Sequence, residues 1–293
     1  EGGMSLREQL ESGKFIVISE IQPPKGIDTR ELLENADFLR GRVDFIVVPD
    51  LQNAVMRLGS LATCYLLNQK GIKPIFQIAC RDRNRLALQS DLLNAAAFGI
   101  ENVLVVEGED PPLGDHPEAK PVFDLTSIEL ISVIQGLQKG HDMAGNDLDG
   151  FPKFFIGAEV NPGLEPGALE LEITDMEKKI RNGANFFLTP AIFDPHLLEK
   201  FMGKVEYLRV PVFAGVTILK SAGMARYMNR VMKGVFVPED TITKLMKAPD
   251  KLKASTEIAS KLIREAKNLC QGIYMIPIGW EKRVPAVLDA AGL

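Results

Sequence analysis

Residues 14–26, KFIVISEIQPPKG, hold the choice between two α/β folds. They read as a short apolar strand, Phe15–Glu20, that ends on a glutamate and is stopped by a turn at Pro23–Pro24. An open dinucleotide-binding sheet would follow its first strand with a Gly-x-Gly-x-x-Gly turn. Here the strand runs into SEIQPPKG, and that motif occurs nowhere in the chain. A carboxylate at the end of a buried strand is costly unless it is solvated, paired or used, so Glu20 marks a candidate site as well as a fold.

Outward from this stretch, further apolar runs recur at Asp44–Pro49, Pro74–Cys80, Asn102–Val106, Phe154–Val160, Phe186–Ile192, Pro211–Val216 and Gly272–Ile278. They are continuous rather than alternating in polarity, as strands buried on both faces are. Helical stripes separate them: Thr29–Arg40, Met56–Gln69, Asn84–Phe98, Ser127–Lys139, Leu171–Asn182, Pro195–Tyr207 and Ser221–Met232. Thr241–Lys247 and Asp250–Cys270 add helix before the last strand, and Lys282–Ala291 follows it. Eight βα units predict a (β/α)8 TIM barrel of the α/β class, a single domain over residues 14–293 preceded by an N-terminal segment, 1–13. Glu1–Gly3, ahead of Met4, read as a tag remnant.

The bulk properties narrow the function. With 293 residues, 46% hydrophobic, the chain can bury a large core. No apolar run approaches the roughly 18 residues of a membrane span, and the polar opening EGGMSLREQLESG does not read as a signal sequence. A net charge of -5 gives no support for nucleic-acid binding. Cys64, Cys80 and Cys270 are isolated and read as reduced thiols of a cytoplasmic protein. His116, His141 and His196 are scattered without metal-ligand spacing, so no metal is expected. The loop Gly140–Phe151 lacks the first and last ligands of a calcium loop.

A barrel enzyme places its chemistry at the C-terminal ends of strands and in the loops after them. The candidates there are Glu20, Pro49, Asp50, Gln52, Asn53, Gln77, Arg81, Asp82, Glu107, Glu109, Asp110, Glu159, Asn161, Thr189, Thr217 and Lys220. The set is acidic and has no strand-end histidine, which disfavours a nucleophilic hydrolase. Apolar neighbours would raise the pKa of Glu20 toward neutrality and suit it to general-acid work. Lys220 leaves open a Schiff-base aldolase on the same barrel. Met224, Met228 and Met232 recur at helical spacing, as core or as a ligand wall.

The motifs SEIQPP, CRDRNR, GEDPP, EVNP and NGANFFLTPAIFD, in this order over nearly the whole of Lys14–Ala291, resemble the methylenetetrahydrofolate reductase family in its compact bacterial form. The closing segments GVTILKSAGMARYMN, GVFVP and YMIPIG are similar to the branch found in anaerobic and acetogenic bacteria. The resemblance implies a flavin-bearing barrel that reduces 5,10-methylenetetrahydrofolate to 5-methyltetrahydrofolate, with Glu20 as general acid. It places a flavin-side catalytic carboxylate on Glu109 or Asp110. It places flavin contacts on Gln77, Val106, Glu107, Gly108, Phe123, Asp124, Ala158, Asn161, Glu172, Asp175, Lys178 and Lys179, the two lysines toward the phosphate. Substrate contacts fall on Glu20, Thr189, Pro190 and Met228. The flavin is FAD by family, with FMN as the alternative. Electrons would come from NADH or from a partner subunit, for which the branch resemblance suggests a small zinc-containing protein. An accessory flavoprotein barrel without folate turnover is the alternative. Three positions depart from the family pattern: Pro49 and Glu107 replace its usual threonine and arginine near the flavin, and Pro190 its pterin-binding glutamine.

Overall fold

A computed structural model describes residues 3–293; Glu1 and Gly2 of the expected tag remnant lie outside the described residues. Eight parallel strands close into a barrel in sequence order. They are β1 Ile16–Glu20, β2 Phe45–Val48, β3 Pro74–Ala79, β4 Asn102–Val106, β5 Phe155–Glu159, β6 Phe186–Ala191, β7 Val212–Thr217 and β8 Gly272–Ile276. The helices are α1 Leu6–Glu11, α2 Arg30–Leu39, α3 Ser60–Gln69, α4 Arg85–Ala97, α5 Ser127–Gln138, α6 Pro166–Arg181, α7 Pro195–Val205, α8 Ala222–Val231, α9 Glu239–Lys247, α10 Lys251–Ala266 and α11 Val284–Ala291. The expected (β/α)8 barrel is therefore what the chain forms. No helix among the described residues is long and apolar enough to cross a membrane.

Alternate strand residues point inward, and this parity sets up the site. Ile16 and Ile18 of β1, Phe45 and Val47 of β2, Leu104 and Val106 of β4, and Phe186 and Leu188 of β6 form the inner core with Phe213 and Tyr274. Phe186 fits because Gly157 faces it: a Cβ there would lie 2.4 Å from the ring. The lower end is filled by Leu6 of α1, a helix fixed by a capping box between Ser5 and Glu8. The outer residues of the strands pack against the helices in a second, larger apolar layer. Continuing the inward parity upward places Glu20, Gln77 and Glu159 at the upper mouth.

Three local features differ from the sequence expectations. Helix α3 starts at Ser60 rather than Met56. Residues 56–59 are drawn away: the Met56 N–H donates to Asp115, Leu58 N–H donates to Pro24 O, and Gly59 is extended as the N-cap. Helix α6 starts five residues before Leu171, at Pro166, whose fixed φ suits a first helical position. Strand β6 carries a register shift between Leu188 and Ala191. There Thr189 Oγ1 accepts from Gly215 N at 2.8 Å and donates to Pro190 O at 2.8 Å. A Cβ on Gly215 would stand 2.3 Å from Pro190 O, so the bulge needs glycine on β7.

Candidate active site

Glu20 ends β1 only 6% exposed, inside the barrel mouth. Burial pushes its carboxyl up to about 7; hydrogen bonds from Tyr274 and Gln52 oppose this, and the charges of Glu281 and Glu109 add to it. The Tyr274 hydroxyl donates to Glu20 Oε2. Tyr274 is itself pushed upward by burial and by the Glu20 charge, so it remains a donor at neutral pH. Since its hydrogen bond favours the carboxylate, Tyr274→Phe should move the Glu20 titration above about 7. Carboxyl-selective NMR titration would read the change, and a midpoint that stayed or fell would reject this pairing.

Gln52 reaches the site on a short turn, Gln52–Ala54, entered through Leu51. Leu51, Asn53 and Ala54 all have positive φ, a costly state for residues with side chains that persists only when the surroundings hold it. The surroundings here include Arg81, only 1% exposed. Its Nη2 donates to the carbonyls of Asp50 and Leu51 at 3.3 and 3.1 Å, and its Nη1 to the Glu109 carbonyl and Oε2 at 3.2 and 3.3 Å. Its Nε and Nη2 also hold Asp82. One guanidinium thus ties together the loops after β2, β3 and β4. Gly108, at φ 89°, lets the β4 loop come this close, since a Cβ there would meet Arg81 Cβ at 2.9 Å.

Beside these loops lies a cavity of about 270 Å³, lined by Asp50, Gln52, Gln77, Val106, Glu107, Gly108, Glu109, Glu159 and Lys179, with Val105 and Ser127. Asp50 is buried and paired with Arg83 through bonds of 2.7 and 3.1 Å, and its N–H donates to Gln77 Oε1. Glu107 Oε1 accepts from Ser127 N at 2.7 Å, at the positive end of α5. Glu159 is surrounded by protein, and this surrounding, with the charges of Glu109 and Glu20, pushes its carboxyl up to about 7. Its side chain nevertheless opens onto the cavity, so the full effect of burial applies when a ligand has displaced the cavity water.

The predicted residues divide by position. Glu109 faces the cavity, whereas Asp110 is exposed and opens the next turn, Pro111–Leu113. Gln77, Val106, Glu107, Gly108 and Lys179 line the cavity. Asp124 is held by Arg85, which brings its carboxyl down to about 2, and Phe123 beside it is exposed at φ 40°. Ala158 belongs to the outer apolar layer. Asn161 N donates to Glu172 Oε1 at 2.8 Å, and its side-chain amide donates to Lys233 O. Asp175 pairs with Lys178 at 3.1 Å. Thr189 and Pro190 form the β6 bulge, and Met228 is buried in an apolar cluster with Ala191, Leu219 and Val237. Lys220 lies 5.4 Å from the Trp280 ring, and its amine donates to Ile278 O.

The methylenetetrahydrofolate reductase family model matches residues 5–292. The chain belongs to the methylenetetrahydrofolate reductase family. A curated relative, methylenetetrahydrofolate reductase 2 of Schizosaccharomyces pombe, is 22% identical over 236 residues, covering 76% of this chain and 36% of the yeast protein. The chain thus spans about a third of that relative's length. Among solved structures, an uncharacterized protein from Clostridium thermocellum that binds two copies of 5-methyl-5,6,7,8-tetrahydrofolic acid shares the fold. Its TM-score is 0.69 at 16% identity, covering 98% of this chain and 99% of that one. The EDTA monooxygenase of Chelativorans has a TM-score of 0.58 at 11% identity, with 95% and 93% covered.

Within this family fold, the Tyr274 contact had one faint sequence signal: it lies two residues beyond Gly272 in an apolar strand, hence on the same face. Gln52 and Glu159 were visible only as strand-end polar residues. The three-loop clamp by Arg81 has no local signal, because its partners other than the adjacent Asp82 are 28 to 31 positions away.

Proposed function

We propose that the chain reduces 5,10-methylenetetrahydrofolate to 5-methyltetrahydrofolate, using a bound flavin and Glu20 as the proton donor. The observation that carries this reading is Glu20 itself: a carboxyl buried at a strand end, pushed up to about 7, beside a polar cavity. A fold neighbour that binds 5-methyltetrahydrofolate, the product of this reaction, supports the choice of substrate. Residues 14–293 would constitute the flavin-binding barrel and 1–13 its N-terminal segment.

The flavin is tested by the residues available to hold it. Gln77 gives the cavity an amide and Val106 an apolar wall, and Gly108 lines it with main chain. Lys178 and Lys179 stand in the last turn of α6. Lys178 is half exposed and, among the described residues, pairs with Asp175 alone, an exposed contact worth about 1 kcal/mol or less, so exchanging that partner for a phosphate costs little. These residues fit a flavin: Gln77 and Val106 would hold its ring, and Lys178 and Lys179 its phosphate. When bound, the reduced flavin supplies the hydride.

The protein's own part is proton delivery and orientation. The substrate's methylene carbon bridges N5 and N10, and the product's methyl remains on N5, so the bond that breaks is to N10. Protonating that nitrogen turns it into a leaving group and leaves an N5 iminium, which hydride converts to the methyl. Glu20 near 7 holds a proton at neutral pH and gives it up readily, as a general acid should. Tyr274 and Gln52 fix the direction of the carboxyl and stabilise the carboxylate left behind. Glu109, held by Arg81, supplies negative charge to steady the cation. Electrons would enter from NADH or from a partner subunit.

The reading is tested by mixing the reduced, flavin-loaded protein with methylenetetrahydrofolate and following product by mass spectrometry. One equivalent of 5-methyltetrahydrofolate per reduced flavin is expected. Flavin that binds but stays reduced in the presence of the folate would reject the reductase in favour of the accessory barrel.

A further inference from the structure

The lining carboxylates of the cavity are partnered inside the protein, with one exception. Asp50 pairs with Arg83, Glu109 meets Arg81 at 3.3 Å, and Glu107 accepts from the N–H of Ser127. The carboxylate oxygens of Glu159 meet no hydrogen-bond or ion-pair partner among the described residues. The lining cation nearest in the fold, Lys179, donates instead to the Glu159 main-chain oxygen at 3.2 Å. Glu159 ends β5 two residues after the inward-facing Gly157, so strand parity turns it toward the cavity it lines.

We propose that Glu159 reads the ring edge of the ligand, its carboxylate accepting from the N–H groups of a fused lactam heterocycle bound in this cavity. A pterin and an isoalloxazine both carry such an edge, and the inference rests on the function proposed above. A planar ring entering the cavity strips water from the open carboxylate, which is costly unless the ring returns donors. The ring N–H and, in a pterin, the neighbouring amino group point the same way and match two carboxylate oxygens in a bidentate pair. Neither the family resemblance nor the strand-end inventory gives Glu159 a role.

The proton balance follows from the groups around it. Glu20 on β1, Glu109 in the loop after β4, Tyr274 on β8, and Glu172 and Lys179 on α6 act on Glu159. The glutamates outweigh the lysine and raise the carboxyl above its ordinary value in the open cavity. If the carboxylate is the form that accepts, ligand binding releases a proton wherever the free carboxyl is still protonated, so affinity rises with pH over the range from about 5 to 8.

The test measures dissociation constants of 5-methyltetrahydrofolate and of FMN across that pH range, for wild type, Glu159→Gln and Glu159→Asp. In Glu159→Gln, affinity for one ligand should fall by roughly 10-fold or more, the scale of a charged hydrogen bond, and its pH dependence should flatten. Glu159→Asp, which keeps the charge, should retain the pH dependence. A loss with the folate assigns the edge to the pterin, and a loss with FMN assigns it to the flavin. A Glu159→Gln protein that binds both ligands like wild type, or keeps the wild-type pH dependence, overturns the role of Glu159 while leaving the proposed function standing. Wild-type protein that binds neither ligand overturns both.

Discussion

Glu20→Gln is expected to lose at least about 100-fold in the rate of methyltetrahydrofolate formation, the usual scale for removing a positioned general acid. The amide keeps the size of the side chain and a contact with Tyr274, so the loss would reflect the proton rather than the packing. The same substitution should alter stability in the opposite sense. Glu20 holds its proton up to about 7 when folded, whereas the unfolded chain releases it near 4.5. Between these values the folded state binds more protons, so the stability that Glu20 contributes is complete below about 4.5 and is lost as pH rises through about 7. The difference amounts to about 3 kcal/mol at most. Glu20→Gln lacks this decline and should therefore be more stable than wild type at pH 8, by denaturant unfolding, while being the poorer catalyst. A variant that is both slower and less stable at pH 8 would show that Glu20 serves the fold rather than the reaction.

Arg81→Ala is expected to cost about 3–5 kcal/mol of stability, the range for removing one partner of a buried ionic group. Its guanidinium is 1% exposed and makes contacts to Asp50, Leu51, Asp82 and Glu109. Without it, the left-handed turn that carries Gln52 and the loop that carries Glu109 lose their common anchor. Arg81→Lys keeps the charge but not the planar fork, and should recover only part of the loss. A change below about 1 kcal/mol for Arg81→Ala on denaturant unfolding would mean that the three loops hold their shape independently.

These two residues also mark what the sequence makes legible. Glu20 can be read because its signals are local: an apolar strand, a terminal carboxylate and a Pro-Pro stop within a dozen residues. The barrel can be read for the same reason, repeated along the chain, since continuous apolar runs alternating with helical stripes require a parallel sheet covered on its outer face. Arg81 can be read only as a strand-end cation, because the partners that make it a clamp come from three loops. Helix starts depart from the periodicity where tertiary contacts compete with it. Residues 56–59 continue the apolar stripe of α3, yet their backbone donors are taken by Asp115 and Pro24. The β6 bulge at Thr189–Pro190 depends on a glycine on β7 that only the closed barrel brings alongside.

The most direct test of the central claim is the pH dependence of a single turnover, with the reduced, flavin-loaded protein mixed with methylenetetrahydrofolate in a stopped-flow instrument. If Glu20 delivers the proton, the wild-type rate should be level at low pH and fall tenfold per pH unit above about 7, as the acid is lost. Glu20→Gln should show a slow rate with no such fall. A wild-type rate that stays level between about pH 6 and 9, or the same titration persisting in Glu20→Gln, would contradict the assignment of Glu20 as the acid.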